Sequence, residues 1–325
     1  MARRPRSAED DGDDFVLLGG SASKELTAAI SAYLDHPVGR NETLQFSDTN
    51  LFVRVLENVR GRDVFVVQAV APPVNDSFME LFFWIDALKR ASASSVTAVI
   101  PYFGYAKGDK KDEPRVSIRA RACADALEAV GVDRVVSLDL HAPQVQGFFK
   151  VPVDDLHAAP VLCETVAGKA HENLVVVAPD AGFAKKARAY ATRLGVPLAI
   201  ADKRRVDHSE TAEVTELMGE VDGCTALVVD DFTVSAGTLV DAARVLKEKG
   251  AATVIAAVSQ ALLTADAVAR IEASPIERLY LTDAVPLRIG AAAESDRIEV
   301  VSVAGLFGEA IRRISRRESI SVLFD

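Results

Sequence analysis

The chain reads as an α/β protein built from two similar, doubly wound domains with mainly parallel sheets, and three observations predict it. Short runs rich in Val and Ile alternate with longer stretches of helical periodicity, the pattern of βαβ crossovers. The alternation comes as two series of similar rhythm. With 325 residues, 49% of them hydrophobic, the chain is too long for one core and long enough for two.

The first series opens with an apolar run at 15–18 and an amphipathic stretch at 23–34. Strand-like runs follow at 63–68, 96–101 and 134–138, with helical stretches at 76–93 and 117–130 between them. Strand, helix and parallel strand close right-handedly, so this order predicts a parallel sheet covered by helices. The second series places strands at 174–178, 198–201, 226–229, 254–258 and 279–281. Pro152 and Pro160 mark the junction. The expected division is a disordered leader at 1–14, an N-terminal α/β domain at 15–152, and a C-terminal α/β domain at 153–303. A C-terminal helix and tail, 304–325, are expected to pack back on a domain. The leader turns from basic to acidic and has no apolar core of a signal peptide.

With 37 Lys and Arg against 47 Asp and Glu, the formal charge of -10 offers no global attraction to nucleic acid or anionic lipid. No run of 18 apolar residues occurs, so no membrane span is expected. The three cysteines, Cys123, Cys163 and Cys224, lack metal or disulfide spacing and read as buried thiols in a reducing compartment. The expectation is a soluble, cytoplasmic protein.

The sharpest local signal is an apolar strand, Leu227-Val228-Val229, ending in Asp230 and Asp231 and followed by a small-residue turn that opens a helix. Backbone N–H groups of Ser235, Ala236, Gly237 and Thr238 at a helix N-terminus can cradle a phosphate, and the two carboxylates can accept hydrogen bonds from vicinal sugar hydroxyls. An ordinary strand-to-helix turn capped by Ser235 is the alternative.

Other motifs extend this one. Arg60-Gly61-Arg62-Asp63, Pro72-Pro73-Val74-Asn75-Asp76, Pro101-Tyr102-Phe103-Gly104-Tyr105-Ala106 and Asp139-Leu140-His141-Ala142-Pro143-Gln144 stand in the first half, and Ala178-Pro179-Asp180-Ala181-Gly182 in the second. In these residues the chain resembles the ribose-phosphate diphosphokinase family from about Phe46 to Asp325. The resemblance implies a phosphoribosyltransferase-like fold and transfer of the pyrophosphoryl group of ATP to the C1 hydroxyl of ribose 5-phosphate, giving 5-phosphoribosyl 1-diphosphate and AMP. It implies Mg2+ held at His141 and Asp180, with His141 also at the ATP phosphates. Phe46, Asp48, Asn50, Lys107, Gly108 and Asp109 match nucleotide positions, the first two reaching the base from a neighbouring subunit. A core phenylalanine is the alternative for Phe46. Lys203 and Arg205 match the base of the catalytic loop, where cations offset charge on the transferring group. A homo-oligomer, a dimer-based hexamer, is also implied.

Five departures from the family pattern stand out. Asp48-Thr49-Asn50 replaces Asp-Gly-Glu, and Lys107-Gly108 replaces Arg-Gln. Val234-Ser235 replaces Asp-Thr, Phe183 replaces a glycine, and Gln260 replaces a histidine. They admit two alternatives to the enzyme: a non-catalytic regulatory paralogue, or a relative using a different sugar phosphate or donor.

Overall fold

The computed structural model describes residues 15–204, 213–287 and 295–324. The expected leader at 1–14 and Arg205 lie outside the described residues. The chain divides into two units, one comprising 1–157 with 303–325 and the other 158–302.

The first unit holds a five-stranded parallel sheet of β1 (Phe15–Gly19), β4 (Asp63–Val67), β5 (Ser95–Ile100), β6 (Arg134–Leu138) and β7 (Val153–Leu156), in that spatial order. Strands β1, β4, β5 and β6 are buried along most of their length, which is why they appear in the sequence as largely apolar runs. Helix α2 (Val74–Arg90) buries Leu81, Trp84, Ile85 and Leu88 against the sheet and carries Asp76 in its first turn and Lys89 and Arg90 in its last, favourable ends for its dipole. Helices α1 (Lys24–Leu34) and α3 (Arg119–Ala129) complete the crossovers. The expected boundary at 152/153 differs from the observed division at 157/158. Val153–Leu156 pairs with β6, and its two acidic residues are satisfied inside the unit: Arg134 pairs with Asp154, and Asp155 Oδ1 accepts from Leu140 N at 3.0 Å.

An antiparallel hairpin, β2 (Asn41–Gln45) and β3 (Leu51–Val55), projects from this unit. It is tied to α2 through buried Glu80, whose Oε1 accepts from Thr43 Oγ1 at 2.7 Å and from Ser21 N at 2.9 Å, while Gln68 Nε2 donates to Oε2 at 2.8 Å. Charge-assisted bonds of this number make a buried carboxylate tolerable.

The second unit holds a seven-stranded sheet of β8 (Leu174–Ala178), β9 (Leu198–Arg204), β10 (Glu213–Met218), β11 (Thr225–Thr233), β12 (Thr253–Ala261), β13 (Ile276–Thr282) and β14 (Ile298–Val301). The spatial order is β10-β9-β8-β11-β12-β13-β14, parallel except where β10 folds back on β9. Helices α4 (Ala159–Ala167), α5 (Ala184–Leu194), α6 (Gly237–Glu248) and α7 (Ala265–Glu272) connect the strands. The strand order reverses between β8 and β11. In open α/β sheets that reversal leaves a crevice beyond the strands' carboxyl ends, where ligands bind.

Helix α8 (Ala304–Ser315) belongs to the first unit and packs on α1. Gly308 allows the close approach, since a Cβ there would collide with the Tyr33 ring, and Tyr33 Oη donates to Glu309 Oε2 at 3.3 Å. The tail returns Phe324 edge-on to His157, with ring centroids 6.0 Å apart. Cys163 is buried, whereas Cys123 and Cys224 are only half-buried, a departure from the expected three buried thiols; all three are free. No helix of the described residues is long and apolar enough to cross a membrane.

Candidate active site

In the second unit, β11 pairs with β12 as far as Thr233 but with β8 only as far as Val228. Asp230 and Asp231 stand half-buried just past that parting, at the switch point. Asp231 N donates to Asp230 Oδ1 at 2.8 Å. Burial first, then the charges of Asp231 and Asp180, push the Asp230 carboxyl up to about 7. Asp231 also pairs with α5, where Lys186 Nζ donates to its Oδ2 at 2.7 Å. Lys186 also lies 5.7 Å from the centre of the Phe183 ring, within cation–π reach. The family departure at Phe183 therefore places an aromatic ring beside the lysine that pairs with Asp231. Asp180 follows β8, is exposed, and accepts from Phe183 N through Oδ1 at 2.9 Å.

The turn after β11 is set by Ala236, which takes a left-handed φ of 57° and stands as the N-cap of α6. Thr233 Oγ1 accepts from Ala236 N at 3.2 Å, and Ser235 Oγ accepts weakly from Gly237 N at 3.4 Å. The N-cap residue Ala236 supplies no side-chain cap, while Ser235 Oγ meets the first N–H of the helix, so the expected alternative of a Ser235-capped turn is met in part. A helix N-terminus presents N–H groups and a positive dipole end to an anion. Gly237 and Thr238 are half-buried in its first turn. From α7, Arg270 Nη1 donates to Ser235 O at 3.2 Å and brings a guanidinium beside the turn. Lys203 lies on β9, in register with Val214 of β10.

The first-unit residues lie at the hairpin tip and at the carboxyl ends of β5 and β6. Phe46 is 53% exposed, with its ring 6.0 Å from that of Phe52, so the core alternative for it fails. Asp48 and Asn50 bond each other: Asn50 N and Nδ2 donate to the two carboxylate oxygens at 3.2 and 2.7 Å, which holds the Asp48 carboxyl below its ordinary range. Thr49 takes φ 70°, a conformation that favours glycine, and the departure at this position carries that strain. Lys107 is exposed, Gly108 buried and Asp109 half-buried. His141 is exposed on a loop pinned at Asp139, whose φ is 44°, whose N donates to Leu156 O at 2.9 Å, and whose Oδ1 lies 3.2 Å from His157 Nδ1.

Sequence reasoning missed Lys186 and Arg270. Each sits on a helix, among other charged residues, and only the fold brings it to the loop it serves.

Paired carboxylates and a helix N-terminus at the switch point of a doubly wound sheet define an α/β protein of the ligand-binding, doubly wound class. The comparisons with known proteins are narrower. Residues 15–131 match the N-terminal domain of ribose phosphate pyrophosphokinase, and residues 203–325 match the phosphoribosyl synthetase-associated domain. The chain is 46% identical over 314 residues to a ribose-phosphate pyrophosphokinase of Neisseria meningitidis serogroup A, covering 96% of this chain and 95% of that protein. It is 45% identical to the corresponding Nitrosomonas europaea protein, covering 96% and 98%. The crystal structure of phosphoribosylpyrophosphate synthetase from Mycobacterium smegmatis superposes with a TM-score of 0.85 at 35% identity, covering 94% of this chain and 99% of that one. The chain belongs to the ribose-phosphate pyrophosphokinase family.

Proposed function

We infer that the chain catalyses transfer of the pyrophosphoryl group of ATP to the C1 hydroxyl of ribose 5-phosphate, releasing AMP and 5-phosphoribosyl 1-diphosphate. The observation that carries this reading is the end of β11, where two carboxylates with unlike surroundings stand beside a helix N-terminus. The turn from Ser235 through Ala236 and Gly237 to Thr238 takes the 5-phosphate, which displaces the long contacts that Thr233 Oγ1 and Ser235 Oγ make to Ala236 N and Gly237 N. Asp230 and Asp231 accept from the vicinal ring hydroxyls and orient the sugar, so that its C1 hydroxyl meets the β-phosphorus. Phe46, Asp48, Asn50, Lys107, Gly108 and Asp109 receive the nucleotide, with His141 at its phosphates. Lys203 and Arg205 offset the charge that develops on the transferring group, which phosphoryl transfer requires more than covalent help.

The residues fit a magnesium ion. Asp180 offers a hard oxygen at the end of β8, and its charge together with that of Asp231 already burdens Asp230, a crowding a cation relieves. No group of three or more potential ligands forms a cage among the described residues, which suits an ion that takes one or two protein ligands and completes its shell with phosphates and water. Asp180 in the second unit and, by the resemblance, His141 in the first would each be a ligand for Mg2+, which would supply charge neutralisation at the phosphate oxygens when bound. We place the protein in the cytoplasm as a homo-oligomer, a dimer-based hexamer, on the resemblance set out above.

Coupled AMP release with ribose 5-phosphate and a panel of nucleotide donors tests the reading. Turnover is expected with ATP, stops in EDTA, and returns with added Mg2+. Absence of AMP release with every donor and sugar phosphate would overturn it, and full activity in verified metal-free buffer would remove the ion.

A further inference from the structure

Gly108 is buried, and the side chain of Arg119, the first residue of α3, lies across it. A Cβ built on Gly108 would come within 2.6 Å of Arg119 Nε and 2.9 Å of Arg119 Cβ. The backbone fastens the two together: Ala120 N donates to Gly108 O at 3.1 Å, and Gly108 N donates to Tyr105 O at 2.9 Å. Any side chain at position 108 would push Arg119 away. Arg119 is exposed, and among the described residues no carboxylate pairs with it, although Arg121 pairs with Asp125 at 2.7 Å and Lys110 with Asp112 at 3.6 Å. A guanidinium without a counter-ion, beside exposed Lys107 at the carboxyl edge of a parallel sheet, suits an anion whose oxygens match its planar fork.

We propose that Arg119 is a donor-binding residue that offers its guanidinium to the phosphate chain of the nucleotide, in the space that glycine at 108 leaves open. The loss of an amide side chain at 108 and the entry of Arg119 are then one change, a contact moved from the loop to the first residue of the following helix. This rests on the reading of residues 107–109 as the nucleotide loop.

Steady-state kinetics and calorimetry on the full chain test it. Arg119→Ala raises KM for MgATP about tenfold, with kcat less affected and KM for ribose 5-phosphate held, because a ground-state contact to one substrate is removed. Affinity for tripolyphosphate, which has the phosphate chain without base or sugar, falls by the same factor, and Arg119→Lys keeps part of it. Gly108→Ala, which displaces the side chain without removing it, also raises KM for MgATP and adds nothing to Arg119→Ala. It decides the matter should Arg119→Ala fail to fold. An unchanged KM for MgATP in both variants overturns the proposal, as does a fall in kcat and thermal stability without a KM effect. A wild-type protein with no affinity for ATP or tripolyphosphate overturns it together with the function on which it rests; wild-type affinity that neither variant alters overturns it alone.

Discussion

The loop after β11 and the loop after β5 both leave a parallel sheet at its carboxyl edge, yet their polar groups are fixed by different means. Asp230 and Asp231 are half-buried, bonded to each other, and held from α5 by Lys186, which Phe183 flanks. Lys107 and Arg119 are exposed, as are Asp48 and Asn50 at the hairpin tip. Departures from the family pattern follow the same division. Those at 49, 50, 107 and 108 fall on exposed or glycine-dependent positions; in the second unit Phe183 is buried beside Lys186, while Val234 and Ser235 are exposed. On the proposed roles, groups that hold the sugar at a reacting atom are the half-buried, paired ones, and groups that read the donor tolerate changes of size and charge, since such contacts contribute ground-state binding more than transition-state stabilisation.

The strongest way to break this contrast is Lys203→Ala. A cation aimed at the transferring group acts chiefly in the transition state, so turnover at saturating ATP should fall by about 10²-fold or more with little change in KM. A pure KM effect in rapid-quench and steady-state assays would move Lys203 to the binding class. Next comes the double change Asp230→Asn with Asp231→Asn, which should weaken ribose 5-phosphate by about 10²-fold in calorimetry while circular dichroism stays native. Unchanged affinity would remove the sugar site from this loop. Lys186→Met should raise KM for ribose 5-phosphate about tenfold and leave KM for ATP alone, and Lys186→Arg should recover most of the loss.

The smallest effect is on stability. The Asp230 carboxyl is raised to about 7 in the fold, so the protonated form is favoured there, and the penalty of ionising it is complete above pH 7 and fades as pH falls toward the ordinary carboxylate range. Asp230→Asn should therefore raise Tm by a few degrees at pH 8, with the gap to wild type closing toward pH 4. A gap that widens at low pH would show that the carboxyl is held ionised.

Much of the fold was legible because strands buried along most of their length leave largely apolar runs. The runs at 63–68, 134–138 and 174–178 coincide with strands to within a residue. The hairpin of β2 and β3 was not legible: its residues are half-exposed and mixed in polarity, and it is held by Glu80 of α2, which sequence spacing does not reveal. β7 was hidden by Asp154 and Asp155, acids that read as loop until their partners on β6 and its following turn are known. At the candidate site, the paired carboxylates and the turn that opens α6 were legible as local features because they are contiguous in the chain. Lys186 is 45 residues from Asp231, and Arg270 is 35 from Ser235, and no local pattern distinguishes either from a solvated surface cation.

Helix α8 adds a constraint on how the molecule is made. Residues 303–325 complete the unit that begins at β1, so the second unit is an insertion within the first. During synthesis the inserted unit has all of its residues before its host does. The face of α1 around Tyr33 stays uncovered until Gly308 and Glu309 arrive to meet it. Damage to the last residues of the chain therefore falls on the first unit, far away in sequence, while the turn after β11 lies in the unit that has its own continuous segment.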